Sequence, residues 1–309
     1  MKKFLDYKLQ DGCTVQPQTK EELVDIIKDT CKRKGWNCDL NFIDTSKITD
    51  MSRLFANIPT CYGGYGFRKF NCDISKWNVS NVKNMDCMFS GAKKFNQPLN
   101  DWNTSNVESM NYMFFDAISF NQPIENWDVS KVTTMHYMFG YAKNFNQPLD
   151  KWNVSKVKSM KGMFAHAKNF NQPIENWDVS NVSSMCSMFK NAISFNHPLE
   201  KWDVSNVHIM NHMFYEAKNF NQPLNNWNTS KVTSMSRMFK NAISFNQPLD
   251  EWDTKNVSKI LDITDMFKDA ENFDNKIPSL KNFEFKRFDD KCFLLGLSHK
   301  YAEKHQHDF

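Results

Sequence analysis

Eight tryptophans, Trp77, Trp102, Trp127, Trp152, Trp177, Trp202, Trp227 and Trp252, stand 25 residues apart without exception. Around them runs one phrase, W-N/D-V/T-S-N/K-V-x-x-M-x-x-M-F-x-x-A-x-x-F-N-Q-P-L/I-x-x. A unit this short cannot bury its own apolar face. It is stable only when stacked on copies of itself, so that one core runs through the stack. The repeat therefore predicts a solenoid and overrides the one or two ordinary domains that 309 residues would suggest. Phe (27) and Met (17) are abundant and Gly (9) is scarce, which suits a packed core and not a disordered chain.

The ends of the pattern are imperfect, as capping requires, because a terminal coil faces water on one side. Upstream, "IDTSKITDMSRLF" (Ile43 to Phe55) matches the first half of the phrase, and an insertion containing "CYGGYG" follows before Phe70. Downstream, the copy opened by Trp252 carries three extra residues near "ILDITDMF", and the match fades after Phe273. "TKEELVDIIKDTCKRKG" (Thr19 to Gly35) predicts an amphipathic helix. Thr19 and Glu22 form a capping box, Leu23, Ile26, Ile27 and Cys31 make its apolar face, and Gly35 stops it. The expected organisation is an N-terminal cap over 1–41 with a helix near 19–34, a solenoid over 42–276, and a C-terminal cap and tail over 277–309.

Within one copy, Val82, Met85, Met88, Phe89 and Ala92 project onto an arc of roughly 120°, the stripe of a short helix. Ser80 stands where it would cap that helix. Val79, Phe95, Leu99 and Trp102 read as extended core. Each coil is thus expected to hold one or two short strands and a short helix, an α/β class. Asn96 and its equivalents at every 25th residue predict a ladder of stacked amides.

The positions that vary point to function. Counting each Trp as zero, positions nine, ten, thirteen and fourteen differ between copies and fall opposite the apolar stripe. They include Tyr112, Phe115, His136, Tyr137, Tyr141, His166, His212, Tyr215 and Arg237. Tyr and Arg favour interfaces, so these nine are the candidate partner-binding ridge. Drift at unconstrained positions would produce the same variation without a partner.

No catalytic, cofactor or metal residue stands out. The net charge of +4 is spread through the chain and excludes a nucleic-acid footprint. There is no phosphate loop or nucleophile elbow. His208 and His212 lack a third ligand in the neighbouring copy. Eight cysteines form no Cys-x-x-Cys pair, so they are expected to be structural or incidental and neither disulfides nor metal ligands. No apolar run suits a signal peptide or a membrane span.

"FNQPLNNWNTSKVTSMSRMF" resembles the 25-residue repeat of BspA-like leucine-rich-repeat surface proteins, and the resemblance covers roughly residues 20 to 276. It implies a right-handed, leucine-rich-repeat-like solenoid with a binding role, often toward host or neighbouring-cell molecules. It transfers no catalytic motif. The expected function is a non-enzymatic scaffold for protein–protein interaction. Its expected partner is a host protein or a surface glycan. A surface adhesin exported without a readable signal is the alternative. Absence of a signal favours the cytoplasm, whereas the resemblance favours the cell surface.

Overall fold

The computed structural model describes residues 14–57, 65–280, 283 and 288–305; Cys13, Cys61, most of the insertion and the last four residues lie outside them. The chain winds into a solenoid. Parallel bridges link Asp50 to Asn84, then Ser109, Thr134, Ser159, Ser184, Ile209 and Ser234, one per coil.

The coils hold neither the helix nor the extended strands expected of them. Among the described residues the helices are α1 (Lys20–Lys34), α2 (Phe288–Leu295) and α3 (His299–His305), with a 3-10 turn at Ile260–Asp262. Over positions eight to fifteen of a coil, alternate amides do two different jobs. In the copy opened by Trp77, the N–H groups of Met85, Cys87, Phe89 and Gly91 donate to the carbonyls of Ser109, Asn111, Met113 and Phe115 in the next coil at 2.7–3.0 Å. The amides of Met88, Ser90 and Ala92 turn back to Met85, Cys87 and Phe89 at 2.9–3.2 Å. Positions ten and fourteen, here Cys87 and Gly91, have φ of 57° and 72°. Each is the third residue of a turn closed by an i to i+3 bond, and that pattern with positive φ defines a type II turn. Two such turns in tandem bring residues eight, eleven, twelve and fifteen to one side. This is the spacing of a helix without its backbone. Ser80 accordingly caps nothing: its N–H and Oγ both donate to Asn78 Oδ1, at 3.1 and 2.7 Å, closing an Asx turn.

The core is a set of ladders. Phe89, Phe114, Phe139, Phe164, Phe189, Phe214 and Phe239 stack with centroids 5.4–5.8 Å apart. A second Phe column from Phe95 to Phe273 runs beside it at 5.9–6.2 Å. Each indole N–H donates to a carbonyl of the coil before, as Trp152 Nε1 does to Ile124 O at 3.1 Å. That bond satisfies a polar atom that the stack would otherwise bury. The Asn ladder forms as well, with Asn146 N donating to Asn121 Oδ1 and Asn171 N to Asn146 Oδ1 at 2.9 Å.

Both ends are closed. Thr19 Oγ1 accepts from Glu22 N at 3.2 Å, and Gly35 ends α1 with φ of 90°. The helix buries Leu23, Val24, Ile26, Ile27 and Cys31 against the first coil. At the other end Tyr301 stacks on Phe273 at 5.9 Å and donates from its hydroxyl to Asn275 O at 2.8 Å. No helix among the described residues is long and apolar enough to cross a membrane.

Candidate interaction ridge

The tandem turns decide what the ridge residues experience. Tyr112, Tyr137, His212 and Arg237 occupy position ten, with φ between 49° and 57°; Tyr141 and His166 occupy position fourteen, at 60° and 61°. Left-handed backbone costs a residue with a Cβ roughly 1–2 kcal/mol, and Gly, Asn and Asp bear it best. Position fourteen elsewhere is Gly91, Asp116, Asn191, Glu216 and Asn241, and four of these five are types this conformation favours. A bulky ring at these sites works against the local backbone preference.

The structure brings five of the nine candidates together. Tyr112 stacks on Tyr137 at 5.3 Å, Phe115 meets Tyr141 at 5.2 Å, and Tyr141 stacks on His166 at 4.1 Å. Phe115 also meets Tyr112 at 5.6 Å and Tyr137 at 6.1 Å. The cluster spans three successive coils. Two glycines make room for it: a Cβ on Gly140 would come within 2.9 Å of Phe115, and one on Gly162 would run into the Tyr137 ring. Tyr112 packs against Ala56 and Cys87, which bounds the cluster on that side. Its members do not project freely, as an outward helix face would have made them. They are half-buried, and Tyr141 is the most open at 36%.

The other four candidates are separate. His136 belongs to a polar row beside the rings. Its Nε2 lies 2.8 Å from Ser159 Oγ, the link that Asp86 Oδ1 makes with Ser109 Oγ at 2.6 Å two coils earlier. The recurrence marks a bond between coils and not a nucleophile with its base. Ser187 and Asn191 interrupt the aromatic run. Beyond them His212 and Tyr215 pair at 5.7 Å, Lys190 Nζ sits 4.9 Å over the Tyr215 ring, and Arg237 faces Asp265 at 3.6 Å.

Burial, helped by nearby lysines, lowers the pKa of His136, His166 and His212, and burial raises those of Tyr112 and Tyr137. At neutral pH the cluster is therefore uncharged. It can offer ring faces, edges and hydroxyl donors to a partner. Sequence reasoning missed Gly140, Gly162 and Lys190. The scarcity of Gly was the available signal, since two of the nine sit at ridge positions of adjacent coils. It also missed two cysteine features. Cys87 is disulfide-bonded, and Cys31, Cys38 and Cys72 converge in the N-terminal cap.

Three comparisons bear on the chain. The family described as "Mycoplasma protein of unknown function, DUF285" matches residues 25–147, 115–214 and 197–295. Among solved structures, a leucine-rich-repeat protein of Leptospira interrogans is 9% identical, with 92% of this chain and 80% of that one covered and a TM-score of 0.26. A plant peptide hormone receptor, RGFR1, in complex with RGF2 is 10% identical over 70% of this chain and 45% of that one, with a TM-score of 0.19. No curated protein matches.

Proposed function

The chain belongs to the family described as Mycoplasma protein of unknown function, DUF285, and from that premise we propose that it is a non-enzymatic scaffold that binds a protein partner through its aromatic ridge. The observation that carries this reading is the placement of Tyr112, Tyr137, Tyr141 and His166 on left-handed backbone, gathered in three coils and left half-exposed. Asp116, Asn191 and Asn241 show the types that bear this backbone best, and Cys87, Ser187, Glu216 and Arg237 show that other non-aromatic side chains are accepted there too. Rings there cost backbone energy, and a binding function would retain them. Stacked tyrosines supply large contact area with little rotamer entropy to lose, the property of binding hot spots. The resemblance to BspA-like repeats supports a partner on a host or neighbouring cell, and a leucine-rich-repeat-like architecture is part of the same reading.

The test is an affinity capture with two baits, the intact protein and a variant carrying Tyr112→Asn, Phe115→Ser, Tyr137→Asn and Tyr141→Asn. Asn tolerates the left-handed sites, so the variant keeps the fold, which circular dichroism checks. A partner held by the first bait and released by the second is the expected result. Equal retention of the same partner by both baits would assign binding to another face.

A further inference from the structure

Apart from the ridge, the N-terminal cap holds a group of side chains that interaction does not explain. Cys31 Sγ lies 3.6 Å from Cys72 Sγ, and Cys38 Sγ lies 3.4 Å from Cys72 Sγ. All three sulfurs fall within 4.8 Å of one another, and all three are free thiols. They come from three separate pieces of chain. Cys31 descends from the last turn of α1, where Gly35 N closes on Cys31 O at 2.9 Å. Cys38 and Cys72 sit side by side on adjacent coils. The bridge from Asp39 to Asp73 sets their register, and Asp73 N donates to Cys38 O at 2.9 Å. Cys31 and Cys72 are buried, and Cys38 is half-buried at the edge.

We propose that Cys31, Cys38 and Cys72 bind one thiophilic d10 metal ion of the zinc class, which staples α1 to the first two coils. Zinc–thiolate bonds of about 2.3 Å at tetrahedral angles place sulfurs about 3.8 Å apart. The two separations to Cys72, 3.6 and 3.4 Å, lie within a few tenths of an ångström of that value, and the third pair lies within 4.8 Å. A disulfide would instead need two of the sulfurs at about 2.05 Å and would leave the third without a role. Three sulfurs supply three ligands. Cys38 is the only partly exposed member of the three, so the fourth position is assigned to a water on that side. Binding displaces the thiol protons into solvent as the sulfur–metal bonds form. The sequence hid this site because its third ligand comes from the next coil, 34 residues after the second. No linear template of zinc spacings has that form.

The site also has a structural reason to exist. The first coil cannot lean on a preceding repeat, and the insertion interrupts it before Phe70. A metal tie at this point closes both chain segments onto the helix that caps them.

The experiment uses the full chain, reduced and stripped with a chelator, in oxygen-free buffer. Zinc is titrated against a chromophoric competitor, and cobalt(II) is added in a parallel sample. The expected result is one zinc per chain, thiolate-to-cobalt charge-transfer bands and a melting temperature that rises with zinc. Cys38→Ser, at the half-buried edge, should fold and weaken zinc about 100-fold or more. Cys292→Ser, in the C-terminal cap, should leave binding unchanged. Cys72→Ser should abolish the cobalt bands; should it fail to fold, Cys38→Ser alone carries the test. Three results would overturn the proposal: no zinc bound at micromolar concentration, binding undiminished in Cys38→Ser, or a disulfide joining two of the three cysteines that prior zinc loading does not prevent.

Discussion

The coils over 102–176 and those over 177–251 share one interior and have different exteriors. Phe114, Phe139 and Phe164 stack at 5.7 Å; Phe189, Phe214 and Phe239 stack at 5.6 Å. Outside, the first set carries the linked rings of Tyr112, Phe115, Tyr137, Tyr141 and His166, and the second carries Ser187, Lys190, Asn191, Glu216 and Arg237 around one separate ring pair, His212 and Tyr215. The pairing of Asn191 with Glu216 replaces ring stacking by a polar bond between coils. The interior must repeat because each ring is at once the floor of one coil and the roof of the next. The exterior meets no such demand. It is free to vary from coil to coil.

If interior and exterior are independent, core truncation should cost the same in both halves. Phe139→Ala and Phe214→Ala should each lose about 3–5 kcal/mol, read by denaturant unfolding of the full chain. Both rings are fully buried between ring neighbours. A markedly larger loss at Phe139 would mean that the aromatic ridge braces the core beneath it, and the comparison would fail.

A smaller effect separates the two exteriors. Gly162 has φ of 61° and lies under the Tyr137 ring. Gly162→Ala adds a left-handed backbone penalty and a collision, together about 2–4 kcal/mol. The equivalent position one coil later is Ser187, already left-handed at 58°. Ser187→Ala should therefore cost well under 1 kcal/mol. In a Tyr137→Asn background the cost of Gly162→Ala should shrink to about 1 kcal/mol, the backbone part alone. A cost that stays the same in both backgrounds would mean the ring does not rest on Gly162.

These residues also show what could be read before the structure. The period of the tryptophans was enough to predict a stack, and the apolar positions of the phrase are the buried ones. The local conformation was not legible. Met85, Met88, Phe89 and Ala92 have helical spacing because tandem type II turns reverse the chain every four residues, close to one helical turn. The clue lay in composition: Gly, Asn and Asp recur at position fourteen, where a helix interior disfavours them. Ridge membership was legible as variation, but its geometry was not. Which rings touch depends on a register between coils that no single copy contains. The cysteine trio was hidden for the same reason.

Milder again is the response to pH, and it too should divide the halves. His136 and His166 lie in the coils of the ring cluster and His212 in the later set, and burial lowers the pKa of all three. The folded chain then binds fewer protons than the unfolded chain between those lowered values and the ordinary histidine value of about 6.5. Stability rises with pH across that window, so it must decline as pH falls below about 6.5. Asp128 and Asp203 are held low by bonds from Ser130 and Ser205. Their contribution is lost only in a second step, below about pH 4. Chemical denaturation repeated between pH 7.5 and pH 5 isolates the histidine step. His136→Asn with His166→Asn should flatten it more than His212→Asn, because two of the three half-buried imidazoles lie on that side. His166→Asn also places a tolerant residue on left-handed backbone, so stability at pH 7.5 should hold or rise slightly. Equal flattening by the pair and by His212→Asn would show that each histidine of the first set is shielded less than His212 is, and the aromatic half would then be no drier than the polar one.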